Sequence, residues 1–141
     1  RGYAAGVTLG NTPNTDILCS NRAGTKFVHI QVKTFVPGTK TCSVGRKAEN
    51  DFGPAFFWVL AGIPEPSSPA SFEYFVVPAA EMARSIRECH QRWLAAPGKN
   101  GRAHVDSAVR IVNVSPCNSA HLWSIEQYRE KWDLISERLD G

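Results

Sequence analysis

An aspartate, a glutamine and a lysine stand where two short strands would bring them together. Asp16 heads the run Asp16-Ile-Leu-Cys-Ser20, and Gln31 and Lys33 lie inside Lys26-Phe-Val-His-Ile-Gln-Val-Lys-Thr34. A carboxylate and an amide oxygen are hard donors of the kind that hold Mg2+ or Mn2+, and the Val32 carbonyl would add a third oxygen. A divalent cation polarises a phosphodiester and activates water. A lysine beside it stabilises the charge that develops on the phosphorane. These residue types therefore suit metal-assisted hydrolysis of a phosphodiester, with Asp16, Gln31 and Lys33 as catalytic residues and Asp16, Gln31 and Val32 as metal ligands.

The geometry follows from strand alternation. Val28, Ile30 and Val32 face one way, and His29, Gln31 and Lys33 the other. On the first strand Ile17 and Cys19 are the apolar pair, with Asp16, Leu18 and Ser20 on the opposite face. The register that pairs Ile17 with Ile30 and Cys19 with Val28 puts both apolar sets on one side and Asp16 opposite Gln31. A two-residue slip keeps the same faces, so alternation alone does not force that register. Opposed Cβ atoms lie roughly 4.5–5.5 Å apart, within reach of one shared cation. The competing reading is an ordinary surface hairpin whose Asp and Lys form an exposed ion pair of little energetic value.

The surroundings are basic. Between Ile17 and Ala48 stand Arg22, Lys26, Lys33, Lys40, Arg46 and Lys47 without one acidic residue. Lys26, His29, Lys40, Arg46 and Lys47 are accordingly the candidates for contact with a nucleic-acid backbone. The same run also reads as a solvated strand edge followed by a loop. The net charge of +3 permits a polyanionic partner without demanding one.

With 141 residues the chain has the size of one domain, residues 1–141, and its composition excludes disorder: 43% hydrophobic against 21% charged. Cys19, Cys42, Cys89 and Cys117 show no Cys-x-x-Cys spacing, which argues against a zinc or redox centre. Reduced thiols and a cytoplasmic location are the expectation, and no apolar run is long enough to span a membrane. The chain opens on Arg1 rather than Met, which implies an upstream segment.

The remaining elements must position the hairpin. Pro37 to Pro54 is polar and reads as a long loop or lid. Ala55-Phe-Phe-Trp-Val-Leu-Ala61 is continuously apolar, as a central strand buried on both faces is. Phe72–Val77 is a further strand, closed by Pro78, which suits a helix start. Met82, Ala83, Ile86, Cys89, His90, Trp93 and Leu94 then form one helical stripe. Pro97–Gly101 is a turn and Val109–Val114 a short edge strand. A final helix should start at Ser124 with Gln127 as capping-box partner and bury Ile125, Tyr128, Trp132, Ile135 and Leu139. The order predicts an α/β (α+β) domain with a mixed sheet flanked by helices.

Asp16 followed by Ile30-Gln-Val-Lys-Thr34 resembles the Asp…(Asp/Glu/Gln)-x-Lys signature of the PD-(D/E)XK nuclease superfamily. The Gln-Val-Lys-Thr variant is similar to small resolvase-like and intron- or restriction-associated members. Phe56–Val59, Tyr74–Pro78 with the helix after it, and Tyr128–Trp132 resemble later landmarks of such domains. The resemblance implies a restriction-endonuclease-like fold, a Mg2+ or Mn2+ cofactor, DNA as substrate and, for many members, a homodimer. It also implies a first helix carrying a glutamate, whose end would fall at Arg1-Gly-Tyr3. Two departures follow. Gln31 is neutral where an acid is usual, which allows an inactive, nucleic-acid-binding relative as the alternative, and the glutamate's helix is not in this chain.

Other motifs fail their context. Asp51-Phe-Gly53 lacks every other kinase element. His90 reads as core or boundary, His104 and His121 as loop residues without partners, and His29 as a hydrogen-bonded strand histidine. Trp93, Tyr128 and Trp132 read as packing between helices and sheet rather than a base-stacking platform.

Overall fold

The computed structural model describes residues 1–10, 12–115 and 123–141. Cys117 and His121, for which the sequence raised expectations, lie outside them. Strands β1 (Ala4–Val7), β2 (Ile17–Ser20), β3 (Phe27–Phe35), β5 (Phe56–Gly62) and β6 (Glu73–Pro78) form one mixed sheet in the order β1-β2-β3-β5-β6. Only β3 and β5 run parallel; the other neighbours are antiparallel. Strands β4 (Thr41–Ser43) and β7 (Ile111–Asn113) make a separate antiparallel pair. Helices α1 (Ala79–Ala95) and α2 (Asp133–Asp140) complete an α+β fold.

β5 is the axis, with all seven residues buried. Phe56, Trp58 and Leu60 face one core together with Phe35, Met82 and Ile86; Phe57 and Val59 face a second core together with Val28, Ile30, Ile135 and Leu139. The two helices thus cover opposite faces of the sheet. Each fully buried side chain of this size contributes about 1.5–3 kcal/mol, and the double-sided burial of β5 explains its unbroken apolar run.

A parallel β3–β5 pair requires a long crossover, and this requirement gives the Pro37–Pro54 stretch its structure. The expected loop or lid is instead a packed connection. It carries β4 and a 3-10 helix, Arg46–Glu49, and buries Cys42, Val44 and Ala48 in the first core. Its polar residues misled because few side chains point inward: Cys42, Val44 and Ala48 are buried, and Phe52 packs beside them.

The C-terminal expectation is corrected as well. One helix from Ser124 is replaced by a 3-10 turn, Glu126–Tyr128, and a separate α2. Ser124 Oγ accepts from the Glu126 N–H at 3.4 Å, but Gln127 completes no capping box among the described residues. Between the two pieces Arg129 bridges to Phe75, and Glu130, with φ 53°, donates its N–H to Tyr74 O at 2.9 Å. The chain rounds the β6 edge here. Ile125 and Tyr128 pack on the first core while Trp132, Ile135 and Leu139 pack on the second, so one helical stripe serves two faces.

Three smaller differences matter. β1 was not foreseen, because Ala4-Ala5-Gly6-Val7 is short and fully exposed. Arg1–Tyr3 has no regular structure and runs directly into β1, with Gly2 at φ 81°. The edge strand expected over Val109–Val114 shrinks to β7 and joins the small sheet. The thiols of Cys19, Cys42 and Cys89 are free, and Cys19 and Cys89 lie against apolar neighbours as expected. No helix among the described residues is long and apolar enough to cross a membrane.

Candidate active site

The register of β2 on β3 is Ile17 with Ile30 and Cys19 with Val28. Continued by one residue, it sets Asp16 opposite Gln31. Asp16 is held from both sides by its backbone: its N–H donates to Ile30 O and its carbonyl accepts from the Thr8 N–H, each at 2.9 Å. The Thr8 hydroxyl donates to Thr15 O at 2.6 Å, tying the end of β1 to the same corner. The aspartate is therefore placed by the sheet rather than by its own contacts.

Those contacts define the site. Asp16 Oδ2 accepts a hydrogen bond from Gln31 Nε2 and another from the Val32 N–H, the latter at 2.7 Å. Gln31 is 5% exposed, and its Oε1 accepts from Lys47 Nζ at 3.1 Å. A carboxylate only accepts and an ammonium only donates, so the two neighbours fix the orientation of the amide between them. Asp16 and Lys33 form no ion pair; the exposed Asp–Lys pair of the competing reading is absent among the described residues.

Lys33 lies two residues beyond Gln31 on the same face and is half-buried. Its ammonium enters no hydrogen bond or ion pair with a described residue. It lies near Cys42, whose thiol burial pushes up and the Lys33 charge partly draws back. His29, also on that face, is exposed, stacks on Phe56 at 6.5 Å and shares a 3.2 Å hydrogen bond with Thr15 Oγ1, as a strand histidine was expected to do.

The basic residues separate. Lys47 joins the site directly, through Gln31. Arg46, next to it, turns away and pairs with Asp106 at 2.9 Å and Ser107 O at 3.2 Å. Lys26 closes the β2–β3 turn, where its N–H donates to Asn21 Oδ1. That is five residues along β3 from Gln31, about 17 Å at roughly 3.3 Å per residue. Lys40 is exposed beside β4, its carbonyl bonded to the Val114 N–H. The local charge excess therefore does not gather at one point.

The donor set matches a hard divalent cation in kind: one carboxylate, one amide oxygen and, on the strand edge where the Val32 N–H meets Asp16, the Val32 carbonyl. All are oxygens, with one negative charge among them. The Gln31 oxygen faces Lys47, however, and its nitrogen faces Asp16.

Sequence reasoning missed a second polar cluster. Arg110, 5% exposed, donates to Glu49, to Ser107 O at 2.6 Å and to Val109 O at 2.8 Å. Asp106 draws together His90 at 2.8 Å, Arg46 and Arg110. The hydrogen bond from His90, with Arg46 and Arg110 nearby, holds its carboxyl below the usual carboxylate range. His104, expected to lack a partner, donates Nδ1–H to Trp93 O at 2.6 Å and stacks on that indole at 4.1 Å. Trp93 accordingly packs between His90 and His104 rather than on the sheet. No spacing signal announces these pairs, since Glu49 and Arg110 are 61 residues apart. Comparison with known protein families, with curated proteins and with solved structures finds no match for this chain.

Proposed function

We propose that the protein is a divalent-metal-dependent endonuclease acting on DNA. The observation that carries this reading is the juxtaposition on one sheet face of Asp16, Gln31 and a Lys33 that has no partner among the described residues. Asp16, Gln31 and the Val32 carbonyl would hold Mg2+ or Mn2+, which supplies the Lewis acidity for attack by water on phosphorus. Lys33 faces the scissile phosphate and offsets the charge that grows on its oxygens. His29 and Lys47 lie close enough to touch the flanking backbone; Lys26 and Lys40 would meet it further out. Arg46 contributes less, because Asp106 already neutralises it.

A second reading has its own support. Lys47 already places a positive charge on Gln31 Oε1, as expected of a domain that binds nucleic acid without cutting it. Cleavage of plasmid and branched DNA, with and without Mg2+ or Mn2+, beside Lys33→Ala separates the two. Cutting that requires both metal and Lys33 supports the nuclease. Salt-dependent DNA binding with no cutting supports the binding domain, and absence of any DNA binding at low salt removes both.

A further inference from the structure

Lys47 does more than supply charge. Its ammonium donates to Gln31 Oε1 at 3.1 Å, while Gln31 Nε2 donates to Asp16 Oδ2. In that arrangement the amide turns its nitrogen, not its oxygen, toward the carboxylate with which it would share a cation. Bringing the oxygen round to Asp16 would turn the amide NH2 toward Lys47, donor against donor. The Lys47 contact and a cation shared by Asp16 and Gln31 are therefore mutually exclusive.

We propose that Lys47 gates the cation site: it holds Gln31 in the closed orientation until a phosphodiester draws its ammonium away. The proposal rests on the nuclease reading and assigns its order of assembly, nucleic acid before metal. A hydrogen bond from an ammonium to an anionic phosphate is stronger than one to a neutral amide, so an arriving backbone outcompetes Gln31 for Lys47. Only the side chain has to move. The 3-10 helix that carries Lys47 is anchored by Ala48, 0% exposed, and by Glu49 on Arg110. Gln31 itself sits on a strand paired on both sides.

Binding of two ligands through one such switch is reciprocal: whatever factor DNA adds to metal affinity, metal adds to DNA affinity. The test measures Mn2+ affinity of the full chain by electron paramagnetic resonance of the free ion. The Lys33→Ala background keeps a DNA duplex intact. The duplex should tighten Mn2+ binding by about tenfold, within the usual range for coupled sites. Adding Lys47→Met should tighten Mn2+ binding by a similar factor without any DNA, and the duplex should then change little. Gln31→Glu gives an independent check should Lys47→Met fold poorly. A carboxylate presents oxygen to both neighbours, so metal binding should strengthen in the free protein and lose its dependence on DNA. If Mn2+ binds and the duplex still strengthens it after either substitution, the gate is wrong and the nuclease reading survives. If no variant binds Mn2+ with or without the duplex, both fall.

Discussion

Lys47 and Glu49 lie two residues apart on one 3-10 helix, yet they enter polar networks of different construction. On the Glu49 side, Arg110 is 4% exposed at its side chain and its donors are taken up by Glu49, Ser107 O and Val109 O, with Asp106 further off. On the Lys47 side, one ammonium meets one amide, that amide meets one carboxylate, and Lys33 stands beside them with no partner among the described residues. The first network is densely bonded and pins the crossover to the 106–110 segment. The second is a short chain of single contacts, any of which a ligand can replace. A polar cluster whose donors are mostly engaged has little left to offer a substrate, so exchangeable contacts distinguish the candidate site from the structural one.

If that contrast holds, the largest stability loss comes from the network that does no chemistry. Arg110→Met should destabilise the fold by about 3 kcal/mol, because it strands a partly buried Glu49 and two carbonyls together. Urea unfolding measures this. A loss below about 1 kcal/mol would class the pair with exposed ion pairs and erase the distinction.

The acid limb of stability tests the same network more gently. Asp106 is held below its ordinary value of 3.8, first by the His90 hydrogen bond and then by Arg46. A carboxyl whose folded value is depressed contributes stability above its unfolded value and loses that contribution as pH falls through the folded one. The melting temperature should therefore drop as pH falls below about 3.8, and Asp106→Asn should flatten that part of the curve. Parallel curves for the two proteins would show that Asp106 is not coupled to folding.

How much of this was legible in the sequence depends on how local each constraint is. Alternation within fourteen residues fixes which faces of β2 and β3 meet, and of the registers it allows the chain adopts the one that sets Asp16 against Gln31. β5 was legible because all seven of its residues are buried, and α1 because its buried residues recur along one face. The C-terminal segment was not: Tyr128 and Trp132 fit one helical stripe by spacing, but the chain uses them on opposite faces of the sheet. The crossover looked like a loop because its order comes from Cys42, Val44 and Ala48 meeting distant partners. The charge run was legible as composition but not as arrangement. Arg46 found its acid at Asp106, sixty residues on, and Lys47 found Gln31. Pairings over such distances leave no periodic trace.

The smallest stability change should come from the residue with the greatest chemical role. Lys33 is half-buried on a strand whose partners are in place, and its ammonium holds none of the described residues. Removing an unpartnered charge strands no acceptor, and the aliphatic stem is the only packing lost. Lys33→Ala should therefore change the unfolding free energy by no more than about 0.5 kcal/mol, the usual limit for substitutions away from such features, while any metal-dependent cleavage is abolished. Loss of cleavage together with a fall of about 2 kcal/mol or more would instead make Lys33 part of the scaffold. The asymmetry of the two networks, one for folding and one for chemistry, would then have to be abandoned.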